Sequence, residues 1–175
     1  MLPAGFELAE VEIAPGADRH ACGRRAATVA LARLGGAAGA LALAYDGPRP
    51  IVVGATAAIS ISHGRSRAIA VAARVTRLGI DLVDDRDEDR LSRIAGRFLA
   101  SERAIATSAA ARAACLAAKE AGLKALGLGL YDGGMFDDCV VRVVSLEPPR
   151  LVPAELCLVL GRVADGTIAV AYGTR

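Results

Sequence analysis

The chain has 175 residues, 54% hydrophobic and 23% charged, with 21 Lys+Arg against 19 Asp+Glu. A net charge of +2, 3% aromatics and no Trp give neither an electrostatic nor a stacking basis for binding nucleic acid. The apolar fraction excludes disorder, no run of about 20 residues could span a membrane, and MLPAGFELAEVE lacks the basic start and apolar centre of a signal peptide.

The expectation is therefore a cytoplasmic globular protein, one large domain or two small packed lobes. Asp18 caps a first helix over Arg19 to Leu34, which ends at Gly35-Gly36. Strands are predicted over Ala40 to Tyr45 and Ile51 to Val53, with a turn at Asp46-Gly47-Pro48 between them. Ala57 to Ser62 and Arg67 to Val75 form a hairpin around His63-Gly64-Arg65-Ser66, and Arg77 to Val83 is a further strand. Asp84 or Asp85 caps a helix with Leu91, Ile94 and Phe98 on one face. Ser101 opens another helical stretch, and an Ala-rich helix runs from Ser108 to Leu126, stopped by Gly127 and Gly129. The C-terminal part is β again, over Cys139 to Leu146, Leu156 to Val163 and Thr167 to Tyr172, the last two joined at Asp165-Gly166.

The tetrapeptide IAVA occurs twice, at Ile69 to Ala72 and at Ile168 to Ala171. Each copy closes a hairpin that follows a long Ala-rich helix. That echo predicts an α+β fold of two similar lobes, 1–76 and 77–175, related by a pseudo-twofold axis. Cys22, Cys115, Cys139 and Cys157 form no CxxC pair and read as buried thiols in a reducing compartment; with two histidines, a structural zinc site has no ligands to draw on.

Three polar clusters interrupt the Ala/Leu/Val background: Ser60-Ile61-Ser62-His63, Gly79-Ile80-Asp81, and Lys119-Glu120 with Lys124. Of 21 basic residues only Lys119 and Lys124 are lysines, five positions apart, in a sequence that otherwise uses the rigid Arg fork. Singly, each cluster has an ordinary reading. Asp81 could be a solvated strand end, Glu120 an i,i+4 partner of Lys124, and His63 a turn residue bonded to backbone. Together, two carboxylates on different elements beside Lys, Arg and His suit Mg²⁺ and a phosphate, since Mg²⁺ takes one or two carboxylates and completes its octahedron with water and phosphate oxygens. No GxxxxGK[ST] or GxGxxG loop is present. A small thioesterase or dehydratase would need a nucleophile or a His/Asp pair, for which only His20 and His63 are available.

GIDLV at Gly79 to Val83, followed by AAKEAGLKALGLGL at Ala117 to Leu130, resembles the two signature motifs of the 4′-phosphopantetheinyl transferases, G-[IV]-D and [WF]-x-x-K-E-[AS]-x-x-K. ISISH and the helix GRRAATVALARLG are similar to the SHS-type and Arg-containing motifs of the larger surfactin-type and siderophore-type members. The resemblance implies transfer of the 4′-phosphopantetheine arm of coenzyme A to a serine of an acyl or peptidyl carrier protein, and two lobes in one chain make a monomer the expected state. It implies Asp81 and Glu120 as ligands of Mg²⁺ (Mn²⁺ being the alternative), Glu120 or a metal-bound water as base, and one or both of Lys119 and Lys124 beside the transferring phosphate. Ser62 and His63 would contact coenzyme A, as would Arg19, Arg24 and Arg49, and the arginines around Arg86 to Arg97, Arg103 and Arg112 would face an acidic carrier. Two positions depart from the family pattern. Val83 stands where surfactin-type members carry a second acid, whose place a water or else Asp85 could take, and Leu116 stands where an aromatic is expected. Those departures leave a second reading: a non-catalytic domain of this fold that binds a carrier protein or builds a synthase.

Overall fold

A computed structural model describes residues 1–36, 41–84, 86, 88–98, 100–128 and 139–173. The elements are β1 (Phe6–Glu12), α1 (Arg19–Gly35), β2 (Ala42–Asp46), β3 (Arg49–Val53), β4 (Ala58–His63), β5 (Arg67–Ala73) and β6 (Arg77–Asp84). After these come α2 (Glu88–Ala95), α3 (Ala100–Ile105), α4 (Ala109–Ala125), β7 (Arg142–Leu146), β8 (Pro149–Val152), β9 (Cys157–Val163) and β10 (Gly166–Gly173). The helix starts follow the capping rule. The Asp18 carboxylate accepts from the His20 N–H at 2.8 Å, and the Ser108 hydroxyl accepts from the Ala111 N–H at 3.1 Å.

Two antiparallel three-stranded sheets are present, in the orders β1-β5-β4 and β6-β10-β9. In each, the strand before the long helix lies next to the last strand of its half, and a two-stranded hairpin (β2-β3 or β7-β8) follows the helix. Helices α2 and α3 are additions between β6 and α4. The IAVA repeat shows how each sheet uses its two faces, because alternate strand residues point in opposite directions. Ile69 and Val71 join Leu78, Ile80, Leu82, Ile168 and Val170 in a core between the sheets. Ala70 and Ala72 instead meet Ala26, Ala27 and Ala30 of α1, and Ala169 and Ala171 meet Ala117, Ala118 and Ala121 of α4. Small residues on both surfaces let each helix approach its sheet closely, while the large residues fill the centre.

The two sheets meet edge to edge. The Ser60 hydroxyl accepts from the Ile80 N–H at 3.0 Å and the Ser62 hydroxyl from the Leu82 N–H at 3.2 Å. Side chains of β4 thus satisfy edge N–H groups of β6 that no strand covers.

Some expectations need correction. Asp84 does not cap a helix: it ends β6, buried, and its Oδ2 accepts from the Arg65 N–H at 2.8 Å. Phe98 lies beyond the end of α2, yet packs in the same core as Leu91. Cys22, Cys115 and Cys139 are buried, but Cys157 is exposed on β9. Strands β1 and β8 were not evident in the sequence. Ala40, Asp85 and Gly129, expected as a strand start, a helix cap or extra acid, and a helix stop, lie outside the described residues. Among the described residues, no helix is long and apolar enough to cross a membrane.

Candidate active site at the junction of the two sheets

The site begins with a glycine. On β6, Gly79 lies against α4 so tightly that a Cβ there would stand 1.9 Å from the Ala121 carbonyl oxygen and 2.7 Å from the Ala125 backbone nitrogen. Hydrogen alone fits, so the helix backbone rests on the strand. Two residues further along the same face, Asp81 then falls beneath the last turns of α4.

Asp81 is 4% exposed. Its Oδ1 accepts from Lys124 Nζ at 2.7 Å and from the Ser62 hydroxyl at 2.8 Å, and Lys124 Nζ also donates to the Ile80 carbonyl at 2.9 Å. Glu120, one helical turn before Lys124, is hydrogen-bonded to Asp81. Burial above all, and then the neighbouring Asp81 charge, push the Glu120 carboxyl up to about 8, against the pull of Lys124 and Arg90. Lys124 thus pairs with Asp81 across the two elements, not with Glu120 alone along its own helix.

These groups open into a cleft of about 540 Å³ between the two halves. The N-terminal half supplies Arg19, Ser62, His63 and Arg65; the C-terminal half supplies Asp81, Asp84, Arg90, Glu120 and Lys124. His63 is half-buried and its ring meets that of His20 edge to face, with centroids 5.1 Å apart. Burial is the main cause that lowers its pKa, with His20, Lys124 and Arg19 adding to the effect against a backbone hydrogen bond. One wall thus carries Arg19 and Arg65 beside the first turn of α1, and the facing wall carries three carboxyls, Asp81, Asp84 and Glu120.

The donor set fits a hard divalent cation. Two carboxyls, Asp81 and Glu120, lie in hydrogen-bond contact at the cleft and are hard oxygen donors of the kind such a cation takes. Among the described residues, no group of three or more His, Cys, Asp or Glu gathers, so water and ligand oxygens would complete the shell, as Mg²⁺ prefers.

Other expected site residues are placed differently. Lys119 does not reach the cleft: it is fully buried, and its Nζ donates to Glu102 Oε1 at 2.8 Å, Glu102 Oε2 at 3.0 Å and the Val141 carbonyl at 3.2 Å. With all three protons engaged on another face of α4, it has none to offer a phosphate. Arg24 is absent from the cleft lining and lies 3.7 Å from Asp18 on the exposed side of α1. Arg49 packs beside Gly127, past the end of α4, where a cation complements the helix C-terminus. The Ser62 hydroxyl is turned toward Asp81 and the Leu82 N–H. Val83 and Leu116 both line the cleft, an apolar wall where an acid and an aromatic were expected.

The sequence reading missed Arg65 and Arg90 as cleft residues. Arg65 follows His63 in the same hairpin turn, a proximity that could have flagged it. Arg90 was grouped with the carrier-facing arginines, and only the orientation of α2 separates it from them. Within that group, Arg103 donates to the Phe98 carbonyl. Burial first, then the Glu102 charge, push the Cys115 thiol up to about 12, which leaves it inert as a nucleophile.

Comparison with curated proteins finds no match for this chain. The family model of the 4′-phosphopantetheinyl transferase superfamily matches residues 77–164, half of the sequence, from the start of β6 to the β9-β10 turn. That span contains Gly79, Asp81, Glu120 and Lys124, and the chain belongs to the 4′-phosphopantetheinyl transferase superfamily.

Proposed function

We propose that this protein transfers the 4′-phosphopantetheine arm of coenzyme A to a serine of an acyl or peptidyl carrier protein, leaving adenosine 3′,5′-bisphosphate. The observation that carries this reading is the meeting of Asp81, Glu120 and Lys124 in a cleft whose other wall holds His63 and Arg19. Family membership supports phosphopantetheinyl transfer in general; the roles below are our assignment.

The phosphates of coenzyme A bind along the cationic wall. Arg19 and His63 receive them beside the N-terminus of α1, and Arg65 lies next to them in the hairpin turn. Lys124, held by Asp81 and the Ile80 carbonyl, places a fixed ammonium beside the pyrophosphate. Asp81 and Glu120 would hold Mg²⁺ or Mn²⁺, which supplies neutralisation of the charge that grows on the phosphates. Glu120 accepts the proton of the carrier serine as the serine oxygen bonds to the β-phosphorus and the bond to the nucleotide's phosphate oxygen breaks. Ser62 keeps Asp81 in place.

The two halves, 1–76 and 77–175, act as pseudo-twofold lobes with the site between them, a reading supported by their shared strand order. A monomer in the cytoplasm, meeting an acidic carrier through arginines around α2 such as Arg86 and Arg93, completes the picture. The apolar Val83 and Leu116 favour one alternative, a domain of this fold that binds a carrier without modifying it. Intact-mass spectrometry of apo carrier proteins with coenzyme A and Mg²⁺ separates the two. An EDTA-sensitive gain of one phosphopantetheine supports transfer, and no gain across several carrier classes refutes it.

Two further results are expected. Arg19→Ala weakens coenzyme A binding by about tenfold, the contribution of one charge-assisted hydrogen bond, whereas Arg24→Ala changes it far less. Calorimetry that finds the two equal would remove Arg19 from the phosphate site. Titrating the metal-free protein with Mg²⁺ at pH 7 releases about one proton per site, because Glu120 must ionise to ligate. Calorimetric heats that do not vary with buffer ionisation enthalpy would show that no such proton is present.

A further inference from the structure

The motif lysine that faces away from the cleft still needs a role. Lys119 and Glu102 form an ion pair in which both side chains are fully buried, with two Nζ–carboxylate contacts at 2.8 and 3.0 Å. The pair also grips the chain at β7: Lys119 Nζ donates to the Val141 carbonyl at 3.2 Å, and the Val143 N–H donates to Glu102 Oε1 at 3.0 Å. One cluster therefore joins α3, α4 and the strand that follows α4. None of these side chains lines the cleft.

We propose that Glu102 and Lys119 are positioning residues that lock the rotation of α4 about its axis and so aim Glu120 at Asp81. This rests on the transferase reading above. Consecutive helix residues point about 100° apart, so Lys119 and Glu120 cannot both turn toward the cleft. Anchoring Lys119 on the far side fixes the direction of Glu120. On the β6 side, α4 is held by the Gly79 contact with Ala121, which is backbone against backbone and sets the distance, and by Lys124, whose bonds to Asp81 and the Ile80 carbonyl lie within the site itself. The Glu102–Lys119 pair adds the directional bonds that lie outside the site, on α3 and β7. A carboxyl on a helix surface moves about 1 Å for every 10° of rotation. A displacement of that size at a reacting group costs about 10²-fold in rate.

A buried ion pair can also be replaced without loss of stability when both charges go together. That separates a positioning role from a purely structural one. In Glu102→Gln/Lys119→Met, the Gln oxygen still accepts from the Val143 N–H, no charge is left buried, and the bonds that fix helix rotation are lost. The test measures kcat, KM for coenzyme A, Mn²⁺ affinity by electron paramagnetic resonance, and melting temperature. Glu102→Asp is tested alongside; it keeps the charge pair but shortens one arm.

The double variant is expected to melt close to wild type with KM for coenzyme A within about threefold, while kcat falls by about 10²-fold and Mn²⁺ binds at least about tenfold more weakly. Glu102→Asp should show the same pattern at smaller amplitude. Wild-type kcat and Mn²⁺ affinity in either folded variant would overturn the proposal. So would failure of both to fold, which would make the pair a support of the fold and not of the aim. If the wild-type protein transfers nothing to any carrier, the transferase reading fails by itself, and Mn²⁺ affinity still decides whether the pair orients Glu120.

Discussion

Glu120→Gln is expected to lower the rate of phosphopantetheine transfer by about 10²- to 10⁴-fold in a protein that remains folded. Gln retains the size of the side chain and can hydrogen-bond Asp81, but it neither accepts a proton nor offers an anionic oxygen to a cation. The variant carries a second signature, in stability. In the metal-free protein the Glu120 pKa is about 8, above its ordinary value of 4.5, so the uncharged carboxyl is the form that supports the fold. That contribution is complete below about 4.5, shrinks as pH rises, and is lost once pH passes about 8. Wild-type melting temperature should therefore fall across this window, Mg²⁺ should offset part of the fall, and the Gln variant should show a flatter profile. Normal transfer by Glu120→Gln would end its assignment as base and ligand. Equal pH profiles would show that Glu120 and Asp81 do not share a buried site.

Gly79→Ala should have the largest effect on the fold of any single methyl group in the first motif. The new Cβ would sit 1.9 Å from a carbonyl oxygen in the middle of α4, and neither partner is the end of a flexible side chain. Overpacked cores commonly lose about 1–3 kcal/mol, and a backbone-on-backbone clash belongs at or above the top of that range. For a chain of this size the loss corresponds to a fall in melting temperature of about 10 °C. The fraction that stays folded should also transfer poorly, since α4 must move away from Asp81 to make room. Thermal denaturation and a single-turnover assay below the transition would check both effects. An unchanged melting temperature would mean that α4 does not lie on β6 as closely as described.

Local signals were the most legible. Asp18, Ser108 and the glycines after α1 and α4 bound the long helices because capping is decided by a few adjacent residues. The IAVA echo was legible as a repeat, but its meaning required the sheets: alternate residues serve a helix on one side and the central core on the other. Strand β1 escaped notice because what fixes it is pairing with β5, from Phe6 opposite Ala73 to Glu12 opposite Arg67, across about sixty intervening residues. The cap expected at Asp84 failed for a related reason. A carboxylate before a helix is a capping signal only if no other donor claims it, and the Arg65 N–H from a distant turn does so.

For the site, the residue types are legible along the chain. Two carboxyls, a pair of lysines where arginine is the rule, and a His after an alternating strand mark out phosphate chemistry through charge and size alone. Tertiary structure decided which of them face one another. Lys119 and Glu120 are neighbours in sequence, yet the helix sends one to a buried Glu102 and the other to the cleft. Arg24 and Arg49 have the charge for a phosphate site but lie on other surfaces, while Arg65 and Arg90 are turned into it. A side chain's chemistry is carried by its own atoms and can be read one residue at a time. Its direction depends on helix rotation, strand register and the contact of two sheets, which many distant residues fix together.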